Sequence, residues 1–221
     1  MSTIALWLLS VGVATLGASA SAELRDRISP RARARRAAFR LPRARIQDVK
    51  TGEFVRVEGR VELCDELLVA PLSQRRCAHY QLSVDYARDA KRYVTALSEA
   101  KTVPFLVADD TGRALIEIER PVVEVVVDHY WTALDIDAET RFELERYLFT
   151  QGGTGRALLA EPKRLRYAEG ALEEGERVHV TGVAEWVDAP EVGLTYRDSG
   201  QRLVLRAPAR GRVYVTDRPE D

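Results

Sequence analysis

Arg75-Arg76-Cys77-Ala78-His79-Tyr80 places two guanidiniums, a thiol, an imidazole and a phenol in six consecutive positions. A Cys–His nucleophile needs the two side chains to meet and a third group to orient the base. On an extended strand, residues 77 and 79 share a face, so the contact is open to them. No acid sits where it would orient His79, and a thiol and a phenol opening a β-strand fit a core role as well. Asp110-Thr111-Gly112 is the triplet that carries the catalytic carboxylate of aspartic proteases, where two copies share one proton. Only one copy is present, and Arg113 follows it. The strand-like runs on both sides explain Asp109-Asp110-Thr111-Gly112 as a hairpin turn. A hydrolase or transferase using Cys77/His79 or Asp110 stands as the alternative to a non-catalytic reading.

Metal and cofactor chemistry find little support. Cys64, Cys77, His79, His129 and His179 are the only soft ligands, and none has a C-x-x-C or H-x-x-x-H spacing. Structural zinc needs four ligands, so no metal is expected. No phosphate loop, dinucleotide fingerprint or nucleophile elbow occurs, so no cofactor is expected. Arg75, Arg76, His79, Tyr80, His129 and Trp131 form a candidate partner or ligand surface, His129 standing beside two aromatic residues. His179, between Val178 and Val180, reads as an outward strand residue. In an oxidising compartment the two cysteines could pair; on the cytoplasmic side they are expected as buried thiols.

The residues that would position this chemistry follow a β-pattern from Ile46 onward. Strands are expected at 53–63, 66–70, 78–87, 91–98, 103–108, 113–118 and 121–127, then at 163–168, 176–187, 193–197, 202–206 and 212–216. The run 121–127, apolar on both faces apart from Glu124, is expected in a sheet interior or against a partner. One helix is expected at about 138–150, capped by Asp137 or Asp135 and ended by Gly152-Gly153. An octet is repeated: Gly52-Glu53-Phe54-Val55-Arg56-Val57-Glu58-Gly59 returns as Gly175-Glu176-Arg177-Val178-His179-Val180-Thr181-Gly182. In each copy the valines at alternate positions mark one face, and the closing Gly suits a coiled barrel strand. The fold class is therefore mainly β: one or two OB-like or barrel-like units with an inserted helix. Two related units, 46–127 and 163–217 within a body of 46–217, are one way to read the repeat.

The hydrophobic share of 46% and charged share of 30% are those of a globular protein with a core. The net charge of −1 hides a division. Residues 1–45 carry nine arginines (Arg25, Arg27, Arg31, Arg33, Arg35, Arg36, Arg40, Arg43, Arg45) against Glu23 and Asp26. The remainder has 24 basic and 32 acidic residues. An acidic body argues against a nucleic-acid groove. The basic stretch, 23–45, reads as a juxtamembrane linker, because it follows the uncharged run Ile4–Ala22. A helix of that length spans ~28 Å, about one hydrocarbon core. No Lys or Arg precedes the run and nine Arg follow it, so a retained anchor in residues 1–22 places the body on the cytoplasmic side. The small residues Ala18–Ala22 also permit a cleaved signal peptide and a periplasmic or secreted body. No Cys follows the run, which excludes a lipoprotein anchor. The nine arginines are expected at anionic lipid headgroups, with the acidic body standing off from the same surface.

Three segments in order carry a resemblance. They are Leu68-Val69-Ala70-Pro71-Leu72-Ser73-Gln74-Arg75-Arg76-Cys77-Ala78-His79-Tyr80; Pro104-Phe105-Leu106-Val107-Ala108-Asp109-Asp110-Thr111-Gly112; and Tyr167-Ala168-Glu169-Gly170-Ala171-Leu172-Glu173-Glu174-Gly175-Glu176 with Val178, Val180 and Gly182. Together they resemble the GIDE, or "beside a membrane", domain of membrane-bound RING-type ubiquitin ligases of mitochondria and chloroplasts and their prokaryotic relatives. The resemblance spans about 46–215. It gives Gly52, Gly59, Pro71, Cys77, Asp109, Gly112, Tyr167, Glu169, Gly175 and Gly182 the standing of structural motif positions. It implies a membrane-tethered sensing or partner-binding β-domain. It does not imply ubiquitin transfer: the ligases hold this domain between two transmembrane helices and end in a zinc-bearing RING. Here there is one apolar segment, and two Cys with three His cannot fill two four-ligand sites. The function expected is a membrane-anchored binding or scaffold module with an unidentified protein or small-ligand partner.

If the apolar segment is retained, mass spectrometry of the membrane fraction will find the mature N-terminus at or near Met1. A start at Glu23 would show cleavage.

Overall fold

The computed structural model describes residues 30–89, 92–118, 121–132, 135–160, 164–188, 200–209 and 211–218. The apolar segment, Arg25, Arg27 and the strand expected at 193–197 lie outside the described residues. The chain divides into two units, Met1–Leu41 and Pro42–Asp221. In the first, helix α1 (Pro30–Phe39) starts with Pro at its first position, where a missing N–H costs nothing. Arg31, Arg33, Arg35 and Arg36 lie on it and Arg40 follows. Among the described residues no helix is long and apolar enough to cross a membrane.

The second unit is mainly β. In chain order it runs β1 (Arg43–Ala44), a 3-10 turn (Ile46–Asp48), β2 (Phe54–Leu63), β3 (Leu68–Val69), β4 (Arg76–Asp89), β5 (Arg92–Thr102), β6 (Phe105–Ala108), β7 (Arg113–Ile116), β8 (Val122–Glu124) and β9 (His129–Thr132). Helices α2 (Ala138–Thr150) and α3 (Gly152–Leu159) follow, then β10 (Leu165–Glu173), β11 (Arg177–Asp188), β12 (Gln201–Arg206) and β13 (Tyr214–Thr216). Strands β2, β6, β7, β12 and β11 form a closed barrel, shut by pairing of β2 with β11. Alternate side chains fill it: Val57 and Val61 meet Phe105, Val107, Ile116, Val178, Val180, Leu203 and Leu205.

The repeat closes this barrel. Gly52 and Gly175 are 123 residues apart, and so are Val57 and Val180, which pair directly across the antiparallel β2–β11 ladder. That pair therefore lies on a pseudo-two-fold axis, and the surrounding bonds come in matched couples. The Gly52 amide donates to Ala184 O at 2.8 Å, and the Gly175 amide to Val61 O at 2.8 Å. The Ala184 amide donates to Glu53 O and the Val61 amide to Glu176 O, both at 2.9 Å. The Glu53 carboxylate accepts from the Lys50 amide as that of Glu176 does from the Glu173 amide. The second neighbours match too: Arg60 opposite Ala108 in β6 corresponds to Val183 opposite Arg206 in β12. The two copies thus do not build a unit each; they are adjacent strands of one barrel. Gly52 and Gly175 have φ of 88° and 82°, which the turn before each strand requires. Gly59 and Gly182 serve a different need. A Cβ at Gly59 would lie 2.4 Å from Ala108 O, and one at Gly182 3.0 Å from Arg206 O.

Strands β1, β13 and β8 extend the barrel's sheet, while a second sheet, ordered β3-β4-β10-β9 with β5 also on β4, curls into a half-barrel. It is built from segments between barrel strands: β3–β5 between β2 and β6, and β9, the helices and β10 between β7 and β11. Helices α2 and α3 supply Leu144, Leu148 and Leu158 to its core, beside Leu82, Val84, Leu165 and Tyr167. Strands β4 and β10 pass through both cores, since Ala78 and Leu172 belong to the barrel.

The helix expected at 138–150 is α2, and Asp137 caps it by accepting from the Thr140 amide at 2.8 Å. Gly152, at φ 65°, does end α2, but α3 starts at the same residue. Gly-Gly-Thr-Gly is a poor helix former; tertiary packing outweighs this, with Gly155 seated so closely on Leu148 O that no Cβ fits. The edge strand β9 is absent from the sequence reading, its four residues being too few for a period. Of 121–127 only Val122–Glu124 is strand, paired in parallel with β13 at the end of the sheet order rather than in the sheet's interior. Beyond it, Gly170 packs against the backbone of Val126, and the Val126 amide bonds to the Asp217 carboxylate.

Two substitutions test the barrel. Val57→Asp would bury an unpaired charge on the pseudo-axis and should cost more than about 4 kcal/mol, or abolish folding. Gly59→Ala should cost about 2 kcal/mol and more than Gly182→Ala, because its Cβ meets backbone at a shorter distance. Denaturant midpoints read both.

Candidate functional site

The Arg75–Tyr80 hexapeptide straddles an irregularity. Across β4 and β10, Leu172 opposes His79 and Glu173 opposes Cys77, so Ala78 is a bulge residue with no opposite number in β10. A bulge breaks the alternation of faces. Cys77 packs with Ala70, Tyr80 and Ala171, and Ala78 turns into the barrel core. The Cys77 Sγ approaches Leu68 O at 3.8 Å, while His79 Nδ1 lies 2.8 Å from Thr102 Oγ1. The shared face expected of residues 77 and 79 is thus lost. Burial pushes the thiol up to about 11, and Glu169 adds to the effect. Cys77 is therefore held as a thiol at neutral pH rather than as the thiolate a nucleophile requires.

Arg75 is a hub between elements. Its Nη1 donates to Asp128 Oδ2 at 2.6 Å and Glu173 Oε1 at 2.7 Å, its Nη2 to Asp128 Oδ1 at 3.0 Å, and its Nε to Ser73 Oγ at 2.8 Å. The planar guanidinium can make this fork and a lysine cannot. The segment after β8, the β3–β4 loop and the end of β10 are joined through one side chain. Burial would raise the Asp128 carboxyl, but hydrogen bonds from Arg75 and His129 outweigh it and hold the group at about 2. Glu176 and Asp217 lie near this corner and are pushed the other way, first by burial and then by neighbouring carboxylates.

The β3–β4 loop is held from below by Glu169, which is fully buried. Its carboxylate accepts from the Leu72 amide at 2.9 Å and the Ser73 amide at 3.1 Å, just after Pro71. Tyr167, two residues earlier, is buried in the half-barrel core. Tyr80 donates from its hydroxyl to Glu99 Oε1 at 2.6 Å, and Tyr147 of α2 donates to Glu99 Oε2 at 2.7 Å. Lys101 Nζ also lies 2.6 Å from Glu99 Oε1. Burial, reinforced by the Glu99 bond, pushes the Tyr80 hydroxyl up to about 12. The phenol thus ties helix α2 to the sheet.

The Asp110 triplet is a turn. Asp109, not Asp110, organises it: its Oδ1 accepts from the Thr111 amide at 2.7 Å and the Gly112 amide at 3.0 Å, and its Oδ2 from the Ile46 amide at 2.9 Å. Asp110 is exposed and pairs with Arg45 at 3.0 Å. Arg43 pairs with Glu58 at 3.1 Å, and β1 lies parallel to β2 at Arg56 and Val57. The β-body therefore takes in Arg43 and Arg45, which the sequence reading assigns to the linker. Glu58 also accepts Arg177 at 3.0 Å, and His179 Nδ1 lies 3.8 Å from it.

Of the candidate surface, Arg75, His79 and Tyr80 are occupied within the fold. Arg76 is exposed on β4, and His129 and Trp131 lie on the edge strand β9 with ring centroids 5.3 Å apart. Tyr130 between them is 70% exposed. Asp128, Glu99 and Glu173, the partners that fix these side chains, carry no motif that would single them out in sequence. Among the described residues no group of His, Cys, Asp and Glu is arranged to hold a metal ion. Comparison with family models, curated proteins and solved structures found no match to the chain.

The Asp128 carboxyl sits below its unfolded value of about 3.9, so its contribution to stability is complete above that pH and is lost as pH falls toward 2. Arg75→Ala should therefore lower the unfolding temperature at pH 6 and flatten its acid-side fall. A variant with the wild-type acid profile would contradict the hub.

Proposed function

We propose that this chain is a membrane-anchored, non-catalytic binding or scaffold module of the GIDE type, working next to a bilayer on its cytoplasmic side. The carrying observation is the bond of the buried Glu169 carboxylate to the Leu72 and Ser73 amides. It joins the Leu68–Tyr80 segment to the Tyr167–Glu176 segment through residues 97 apart, two of the three segments that together carry the resemblance. The Asp109 turn of the middle segment clamps the start of the body at Ile46 in the same way. The arrangement supports a binding scaffold because its thiol, phenols and most reactive-looking polar groups are spent on structure.

We further read the barrel as OB-like. Numbered along the chain, its strands β2, β6, β7, β11 and β12 run 1-2-3-5-4 and close from 4 to 1, with the third and fifth parallel. The connections after strands one and three carry the half-barrel, so the surface beside the barrel is protein rather than an open strand face. The acidic body favours a protein or small-ligand partner over nucleic acid. The five Cys and His of these 221 residues do not supply a RING, so ubiquitin transfer is not part of the proposal.

A C-terminal reporter separates the topologies. A fluorescent fusion should be bright in the membrane fraction and a phosphatase fusion inactive; active phosphatase would place the body outside and overturn the cytoplasmic reading. Purified protein should carry no stoichiometric zinc and should not speed ubiquitin discharge from a charged conjugating enzyme. About one zinc per chain would contradict this.

A further inference from the structure

The free end of the β4–β5 hairpin departs from the acidic character of the body. The last pair joining β4 to β10 is Tyr86–Leu165, yet β4 and β5 continue to pair through Ala87–Tyr93 and Asp89–Arg92. The two strands therefore pair beyond the last β4–β10 pair. Arg88 and Arg92 are exposed there, and so are Tyr93 and Val94. From β10 and the residue before it, two more arginines lie on the hairpin's rings. The Arg166 guanidinium is 4.0 Å from the centre of the Tyr93 ring, and that of Arg164 is 4.4 Å from the centre of Tyr86. Arg164 also donates to Arg88 O at 2.9 Å, and Arg166 pairs with Asp85 at 3.0 Å. Four arginines thus meet two acids, Asp85 and Asp89, on a body with a surplus of acidic residues.

Guanidiniums match phosphate oxygens in geometry as well as charge. Tyrosine is an interfacial residue, with an apolar ring and a polar tip, and Val94 adds exposed apolar area beside it. Strand ends with this mixture suit the headgroup level of a bilayer rather than its hydrocarbon core. We propose that the tip of the β4–β5 hairpin makes a second contact with an anionic bilayer surface, its arginines on lipid phosphates and Tyr93 with Val94 at the interface. This rests on the membrane-anchored reading, and it revises the expectation that the whole body stands off from the lipid.

The test uses the full chain reconstituted into vesicles, either zwitterionic or containing about 30% anionic lipid, a charge typical of a surface that attracts basic segments. Flotation reports anchoring, and amide hydrogen exchange over 84–96 reports the tip. Exchange at the tip should slow by roughly tenfold on anionic vesicles only, and salt should reverse the effect. Arg88→Gln with Arg92→Gln should abolish the slowing while leaving the unfolding temperature unchanged, since both side chains are exposed. Equal exchange on both vesicle types, with the chain still floating, overturns the tip contact and leaves the anchor standing. If the chain fails to float, the anchor reading falls; slowing on added anionic vesicles then still supports the tip, and its absence overturns it. Stronger protection by a short single-stranded oligonucleotide than by anionic lipid would overturn the lipid assignment.

Discussion

The pairing of Val57 with Val180 is the contact on which the rest of the β-body depends. It closes the five-strand barrel, and both residues are fully buried. Around it each copy of the octet supplies what the other lacks: the turn before β2 bonds to the far part of β11, and the turn before β11 bonds to the far part of β2. The repeated Gly and Glu at the octet's start are explained by this exchange. Gly takes the left-handed turn, and Glu caps it with its carboxylate. A closed barrel also removes the unpaired edges that these strands would otherwise expose.

Much of this arrangement was legible in the sequence, for local reasons. The valine alternation marked the barrel-core face of both strands, the Asp109–Gly112 turn lay between two strand-like runs, and Asp137 marked the start of α2. What was not legible depends on partners distant in the chain. The bulge at Ala78 exists only because β10 sits opposite with a shifted register, and it decides that Cys77 and His79 part company. Helix α3 opposes its own propensities and is held by Leu148 and Leu158. The repeat itself was visible, but two units and one barrel with an internal two-fold share the same sequence signature. Strand pairing alone separates them.

The candidate site shows the same limit. A run of Arg, Arg, Cys, His and Tyr has the right groups for chemistry, and composition does not say which way each side chain faces. In the fold, Arg75 bridges three segments, Tyr80 anchors a helix through Glu99, and Cys77 is a buried thiol. Two exposed surfaces stand out among the described residues: the aromatic edge of β9 with His129, Tyr130 and Trp131, and the arginine–tyrosine end of β4 and β5. In the proposed binding module, the barrel would present these surfaces to a partner.

Native-state hydrogen exchange across the β2–β11 ladder tests the barrel's dependence on this pairing most directly. If closure of the barrel is the shared constraint, the amides of Val57 and Val180 will exchange only through global unfolding, with the same opening free energy and the same denaturant dependence. A β11 that opens at markedly lower free energy than β2, leaving β2 protected, would show that the two octets are not a single closing unit and would contradict the fold described.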